Sequence, residues 1–177
     1  MPDEKGNLYL FEAIELRSEY DRHLKLLEQL VDGEQTKRER LFAAREEEER
    51  EPSAGFEPQH VAELLKKLQT KRVKLNQAIQ AANFTAQIEF QGEQISLAEA
   101  LEIRKNLLTD VTAISQRVAN AAYKRIIHKE ERDIVHEPKQ PFGQTYAEFQ
   151  AALRKLRQLL TQIHRANHAT LVNFKDE

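Results

Sequence analysis

Ile79-Gln-Ala-Ala-Asn83-Phe-Thr-Ala-Gln-Ile88-Glu-Phe90 and Ile163-His-Arg-Ala-Asn167-His-Ala-Thr-Leu-Val172-Asn-Phe174 are two renderings of one pattern. Ile, Ala, Asn, a β-branched residue and Phe recur in the same order, 84 positions apart each time. Each copy closes an apolar helical pattern at Ala-Asn and then alternates, with Ile88 and Phe90 in the first and Val172 and Phe174 in the second. A period that changes from 3.6 to 2 marks a helix running into a strand. The pattern predicts two helix–strand units whose strands share one small sheet. Asn83 and Asn167 are the expected hinges, because Asn tolerates the left-handed conformation and bonds its own backbone.

Working outward, each strand and helix acquires neighbours. Before the first copy, Val61, Leu65, Leu68, Leu75, Ile79 and Ala82 keep a heptad register over a helix that starts near Pro58. Arg72 stands at one seam position, its stem expected along the interface and its charge at the edge. After it, Gln91-Gly-Glu-Gln94 is a turn signal, so Thr85–Phe90 and Gln94-Ile95 form a hairpin. Ser96-Leu-Ala-Glu99 is a capping box that opens a third helix. Its expected stripe is Leu97, Leu101, Arg104, Leu108, Val111, Ser115, Val118 and Ala122, with Leu107, Ile114 and Ala121 beside it.

The helix leading to the second copy begins near Thr145, with Tyr146, Phe149, Leu153, Leu156, Leu160, Ile163 and Asn167 in step. Between the third and fourth helices, Tyr123–Phe142 reads as a loop with one extended piece at Ile134-Val135. At the start of the chain, Leu16, Tyr20, Leu24, Leu27 and Val31 form one stripe from near Leu8, with Asp32-Gly33 as the expected stop. The span 34–57 differs in kind. Nearly all charge, then Pro52 and Pro58, it reads as a solvated insert within a single helical domain, 1–177. The expected fold is mainly α, an antiparallel bundle of four long helices with a small β-hairpin plus C-terminal strand at one end.

Composition narrows the function classes. A chain of 177 residues suits one domain that buries roughly 70% of its unfolded surface. Hydrophobic residues are 40% and charged residues 32%, and the formal charge of −2 offers no field for nucleic acid or anionic lipid. With no Cys, thiolate catalysis and zinc–thiolate sites are excluded. The opening Met-Pro-Asp-Glu-Lys-Gly lacks a secretory pattern, and no run of eighteen apolar residues occurs, so a cytoplasmic protein is expected.

Two arrangements have metal-ligand types. His164 and His168 lie four apart on one helical face, the spacing at which two imidazoles can share a metal; His128 or His136 is the candidate third ligand. No Glu follows His164, so the metalloprotease pattern is absent. Glu12, Glu15 and Glu19 on the first helix and Glu99 and Glu102 on the third lack the Glu-x-x-His spacing of di-iron bundles. Solvated or capping carboxylates, a surface or interface His164 and a helix-end His168 near the carbonyls it can bond are the plainer reading. There is no Gly-rich phosphate loop and no nucleophile elbow, so neither a catalytic residue nor a cofactor is expected.

Ile-x-x-Ala-Asn with its hairpin, Ser96-Leu-Ala-Glu-Ala-Leu-Glu-Ile-Arg-Lys-Asn-Leu107, Ile163-His-Arg-Ala-Asn-His-Ala-Thr170 and Glu12-Ala-Ile-Glu-Leu-Arg17 resemble the septicolysin-like bacterial proteins. The likeness covers the first helix and most of Leu64–Phe174, and departs at 34–51 and 124–141. It implies a small, mainly helical, oligomeric protein of uncharacterised biochemical role; the family name implies a pore-former. The expected function is therefore non-enzymatic self-association. Metal binding by His164 and His168, or membrane activity, are the rivals.

Overall fold

In the computed structural model, which describes residues 7–35, 52–128, 130 and 132–176, the chain is mainly α, with four helices and three antiparallel strand pairs among the described residues. In order these are β1 (Asn7–Tyr9), α1 (Leu10–Gln35), α2 (Pro58–Thr85), β2 (Gln87–Phe90), β3 (Glu93–Ser96), α3 (Leu97–Ala121), β4 (Arg125–Ile127), β5 (Ile134–His136), α4 (Phe142–Ala169) and β6 (Leu171–Asn173). Within the span read as one domain, contacts group the residues into two compact units. One is Met1–Ala82 with Ala169–Glu177; the other is Asn83–His168. Most of the charged insert, 36–51, lies outside the described residues.

In the first unit α1 and α2 run antiparallel. Arg17 Nη1 bonds Asn76 Oδ1 at 3.4 Å and Arg72 Nε bonds Asp21 Oδ1 at 2.9 Å, and both pairs of residue numbers sum to 93. Arg72 is thus the edge-seeking seam residue that its position predicts. Leu10, Ala13, Tyr20, Leu24 and Leu27 of α1 and Val61, Leu75, Ile79 and Ala82 of α2 are buried. Before α2, Phe56 N–H donates to Ser53 carbonyl at 3.0 Å, and the turn so closed needs positive φ at Gly55, which has +88°.

Three expectations are corrected here. The terminal strand does not join the hairpin in one sheet: β6 pairs with β1, Leu8 opposite Val172 and Tyr9 opposite Leu171, while among the described residues β2 pairs with β3 alone. Three residues are too short a strand to declare themselves by periodicity, which is why the helix expected from near Leu8 takes in Leu8 and Tyr9 of β1. That helix also runs through Asp32-Gly33 to Gln35; a Gly in a helix costs about 1 kcal/mol but does not end it. Finally, α2 continues past Asn83 to Thr85 and α4 past Asn167 to Ala169, so neither Asn is left-handed.

The second unit is built on the β2–β3 hairpin. Gln91 and Gly92 both have positive φ, +56° and +86°, the two-residue turn whose twist matches the strands. Ser96 caps α3, its Oγ accepting from Glu99 N–H at 3.1 Å as the capping box requires. In α3 Leu97, Ala100, Leu107 and Ala121 are buried: Leu97 opens the expected stripe, but beyond it the core side turns toward the flanking Leu107 and Ala121, and Leu108 is exposed. The region read as a loop carries a hairpin, β4 with β5, closed by Lys124–Glu137 at 2.7 Å. Arg117 Nη2 then meets Glu148 Oε2 at 3.3 Å, tying α3 to α4.

The repeat at offset 84 is real at the backbone. Helices end at Thr85 and Ala169, one residue follows, and strands begin at Gln87 and Leu171. A second echo appears with it. Leu8-Tyr-Leu-Phe-Glu-Ala-Ile-Glu-Leu-Arg17 matches Ile95-Ser-Leu-Ala-Glu-Ala-Leu-Glu-Ile-Arg104, 87 positions apart, and both stretches run a strand directly into a helix. Leu10 and Leu97, and Ala13 and Ala100, are completely buried. Leu10 N–H donates to Thr170 carbonyl and Leu97 N–H to Ala86 carbonyl, both at 2.8 Å. The chain is thus two strand–helix–helix–strand repeats, each ribbon formed by the first strand of one repeat and the last of the other.

Candidate functional site

Of the candidate metal ligands, His164 and His168 sit one turn apart on α4, both exposed. His128 is held by Asp133, Nδ1 to Oδ1 at 2.8 Å, and His136 lies on β5 opposite Arg125. Among the described residues no three His, Cys, Asp or Glu side chains gather in a group able to hold a metal. Glu12 is spoken for locally: its carboxylate accepts from Tyr9 N–H at 2.8 Å, satisfying a free amide at the start of α1.

A polar cluster among the described residues lies where sequence spacing gives no hint, 105 and 156 positions apart. The Tyr20 hydroxyl donates to Asp176 Oδ1, and Lys71 Nζ bonds the same oxygen at 3.1 Å. Burial, then the bond to Asp176, pushes the Tyr20 phenol far above its ordinary value. The Tyr20 hydroxyl and, after an opposing desolvation, the Lys71 ammonium hold the Asp176 carboxyl below the usual range. One carboxylate on the tail thereby clamps α1 and α2 behind β6. A phenol driven upward is a poor base at neutral pH, and the cluster reads as a structural clasp.

The larger feature is apolar. Helix α4 carries two adjacent rows. One, Thr145, Leu156, Leu159 and Ile163, is buried. The other, Phe142, Tyr146 and Leu153, is 48%, 43% and 41% exposed. The expected stripe merged the two, because Ala152-Leu153 and Leu159-Leu160 leave its phase uncertain by one residue. Phe142 stacks on Tyr146 with centroids 5.6 Å apart, and Tyr146 meets Phe149 at 6.5 Å. Farther along, Gln150, Leu153, Leu156 and Leu160 line an open apolar groove rimmed by Arg154 and Arg157. Among the described residues no helix is long and apolar enough to cross a membrane.

Comparison with known proteins adds the fold alone. No protein-family model matches the chain, and no curated protein matches it. The crystal structure of a functionally unknown conserved protein from Corynebacterium diphtheriae is similar, with a TM-score of 0.69 and 22% sequence identity. The match covers 94% of this chain and 99% of that one.

Proposed function

We propose that the chain is a non-catalytic, self-associating helical protein of the septicolysin-like kind, working in the cytoplasm through protein–protein contact. What supports the reading is the second apolar row of α4: stacked Phe142 and Tyr146 with Leu153, open to water beside a fully formed core row. A contiguous exposed apolar surface on a water-dissolved protein marks an interaction site. Gel filtration with light scattering should give a mass above the 20.6 kDa of one chain. The assembly should survive high salt, since apolar burial is not screened. Leu153→Asp should return it to the monomer with its helix content intact. A clean wild-type monomer at micromolar concentration would end the reading.

A further inference from the structure

Resting on that self-association reading, we infer that the second copy presents the outer face of its α1 to the outer face of α4, in an antiparallel, charge-matched pairing. On α1, Glu15, Glu19, Arg22, Leu26 and Leu30 recur at four, three, four and four residues on the side opposite the buried Tyr20, Leu24 and Leu27. All five are exposed, Leu26 by 53% and Leu30 by 39%. The row is acidic in its first half and apolar in its second. The α4 row has the reverse order, apolar at Phe142 and Tyr146 and basic at Arg154 and Arg157.

Laid antiparallel, the two rows match at their ends. Glu15 falls opposite Arg157, Leu26 opposite Tyr146, Leu30 opposite Phe142 and Arg22 opposite Gln150, each pair of numbers summing to 172. Glu19 falls opposite Leu153, next to Arg154. Both rows cover about 22 Å. The antiparallel sense also sets the positive end of one helix dipole beside the negative end of the other. Two α4 helices facing each other lack this complementarity. Their one carboxylate, Glu148, is already engaged by Arg117, and in the antiparallel register that overlaps the whole row Phe142 would fall opposite Arg157 and Tyr146 opposite Leu153, leaving both arginines without counter-charge.

The fold itself does not call for either row. At the equivalent positions of the other repeat, α3 keeps Glu102 for Glu15 but has Asn106, Ala113 and Arg117 where α1 has Glu19, Leu26 and Leu30. Likewise α2 has Ala62, Gln69 and Thr70 where α4 has Tyr146, Leu153 and Arg154. Among the described helices only α1 and α4 carry both halves of the matched surfaces. A contact between unlike faces is heterologous, so repetition of it closes a ring or extends a chain of copies.

The test reverses charge on each face. Glu15→Arg with Glu19→Arg gives a protein basic on both faces, and Arg154→Glu with Arg157→Glu gives one acidic on both. Each alone should associate at least about tenfold more weakly than wild type by sedimentation, with an unchanged melting curve. Mixed one to one, they should reassemble, because every basic face now finds an acidic one. The chain has no Cys, so a second readout is clean. Oxidising a mixture of Glu15→Cys and Arg157→Cys proteins should give mixed disulfide dimers well above the statistical share. Thr112→Cys on α3 in place of Arg157→Cys should give none. A wild-type oligomer indifferent to both reversals, with mixed dimers only at the statistical share, overturns this pairing while leaving self-association standing. A monomeric wild type removes both.

Discussion

Asp176 shows how much one tail residue can be asked to hold. Its carboxylate takes the Tyr20 hydroxyl and the Lys71 ammonium from two different helices. The Lys71 pair is about half exposed, so its ionic share is small; the bond from the mostly buried phenol carries more. Removing it by Tyr20→Phe should cost about 1 kcal/mol near neutral pH, read from chemical denaturation. The pH dependence follows from the two shifts. A carboxyl lowered on folding stabilises above its ordinary value of about 4 and loses that contribution as pH falls through the folded value. A phenol raised on folding stabilises below about pH 10 and loses it as pH climbs further. Tyr20→Phe should therefore flatten the stability profile at both extremes. An unchanged acid limb would show that the clasp is ornamental.

At the scale of elements, α4 separates two kinds of leucine. Leu159 is fully buried and Leu153 is 41% exposed, although both fit a helical apolar stripe. Leu159→Ala should cost about 2–5 kcal/mol, and Leu153→Ala less than about 1 kcal/mol in the monomer. A larger loss for Leu153→Ala than for Leu159→Ala in urea unfolding would mean the two rows had been assigned the wrong way round, and equal losses that both face the core. β6 makes the complementary case. Deleting everything after His168 removes the partner of β1, the acceptor for Leu10 N–H and the Asp176 clasp together. The Leu10 amide should then exchange quickly while Leu97, whose acceptor Ala86 remains, stays slow. Fast exchange at Leu10 in the intact chain would show that the β1–β6 ribbon frays like an ordinary terminus.

For the whole molecule, the repeat has a consequence for connectivity. β1 and β6 stand to one another as β2 and β3 do, except that a Gln91-Gly92 turn joins the second pair. Joining the chain's two ends and reopening it between Gln91 and Gly92 should then yield a protein that folds to the same structure, since it exchanges which ribbon carries the covalent turn. Circular dichroism and the exchange of Leu10 and Leu97 would check it. Loss of cooperative melting would mean that the hairpin must form early and locally. The C. diphtheriae structure, alike over 94% of this chain, shows that the architecture accommodates very different sequence.

Much of this was legible from residues alone, because local chemistry specifies it. Ser96 and Glu99 mark a helix start, Pro58 another, and Gln91-Gly92 a turn; each acts within a few residues of itself. The switch of period at offset 84 located two helix–strand junctions for the same reason. What the sequence left open was every decision taken between distant segments. Both echoes are printed in the residues, but which strand each would pair with depends on closing a loop of nearly the whole chain. Periodicity states that Leu153 and Leu159 are apolar and helical; they lie about 120° apart around the axis, and with apolar residues on both sides the stripe drawn through Leu153 and Leu160 fits the pattern as well as the buried one through Leu159. The same holds for Tyr20, Lys71 and Asp176, which no spacing rule connects. Burial and strand pairing are properties of the packed molecule, so only the tertiary structure could decide them.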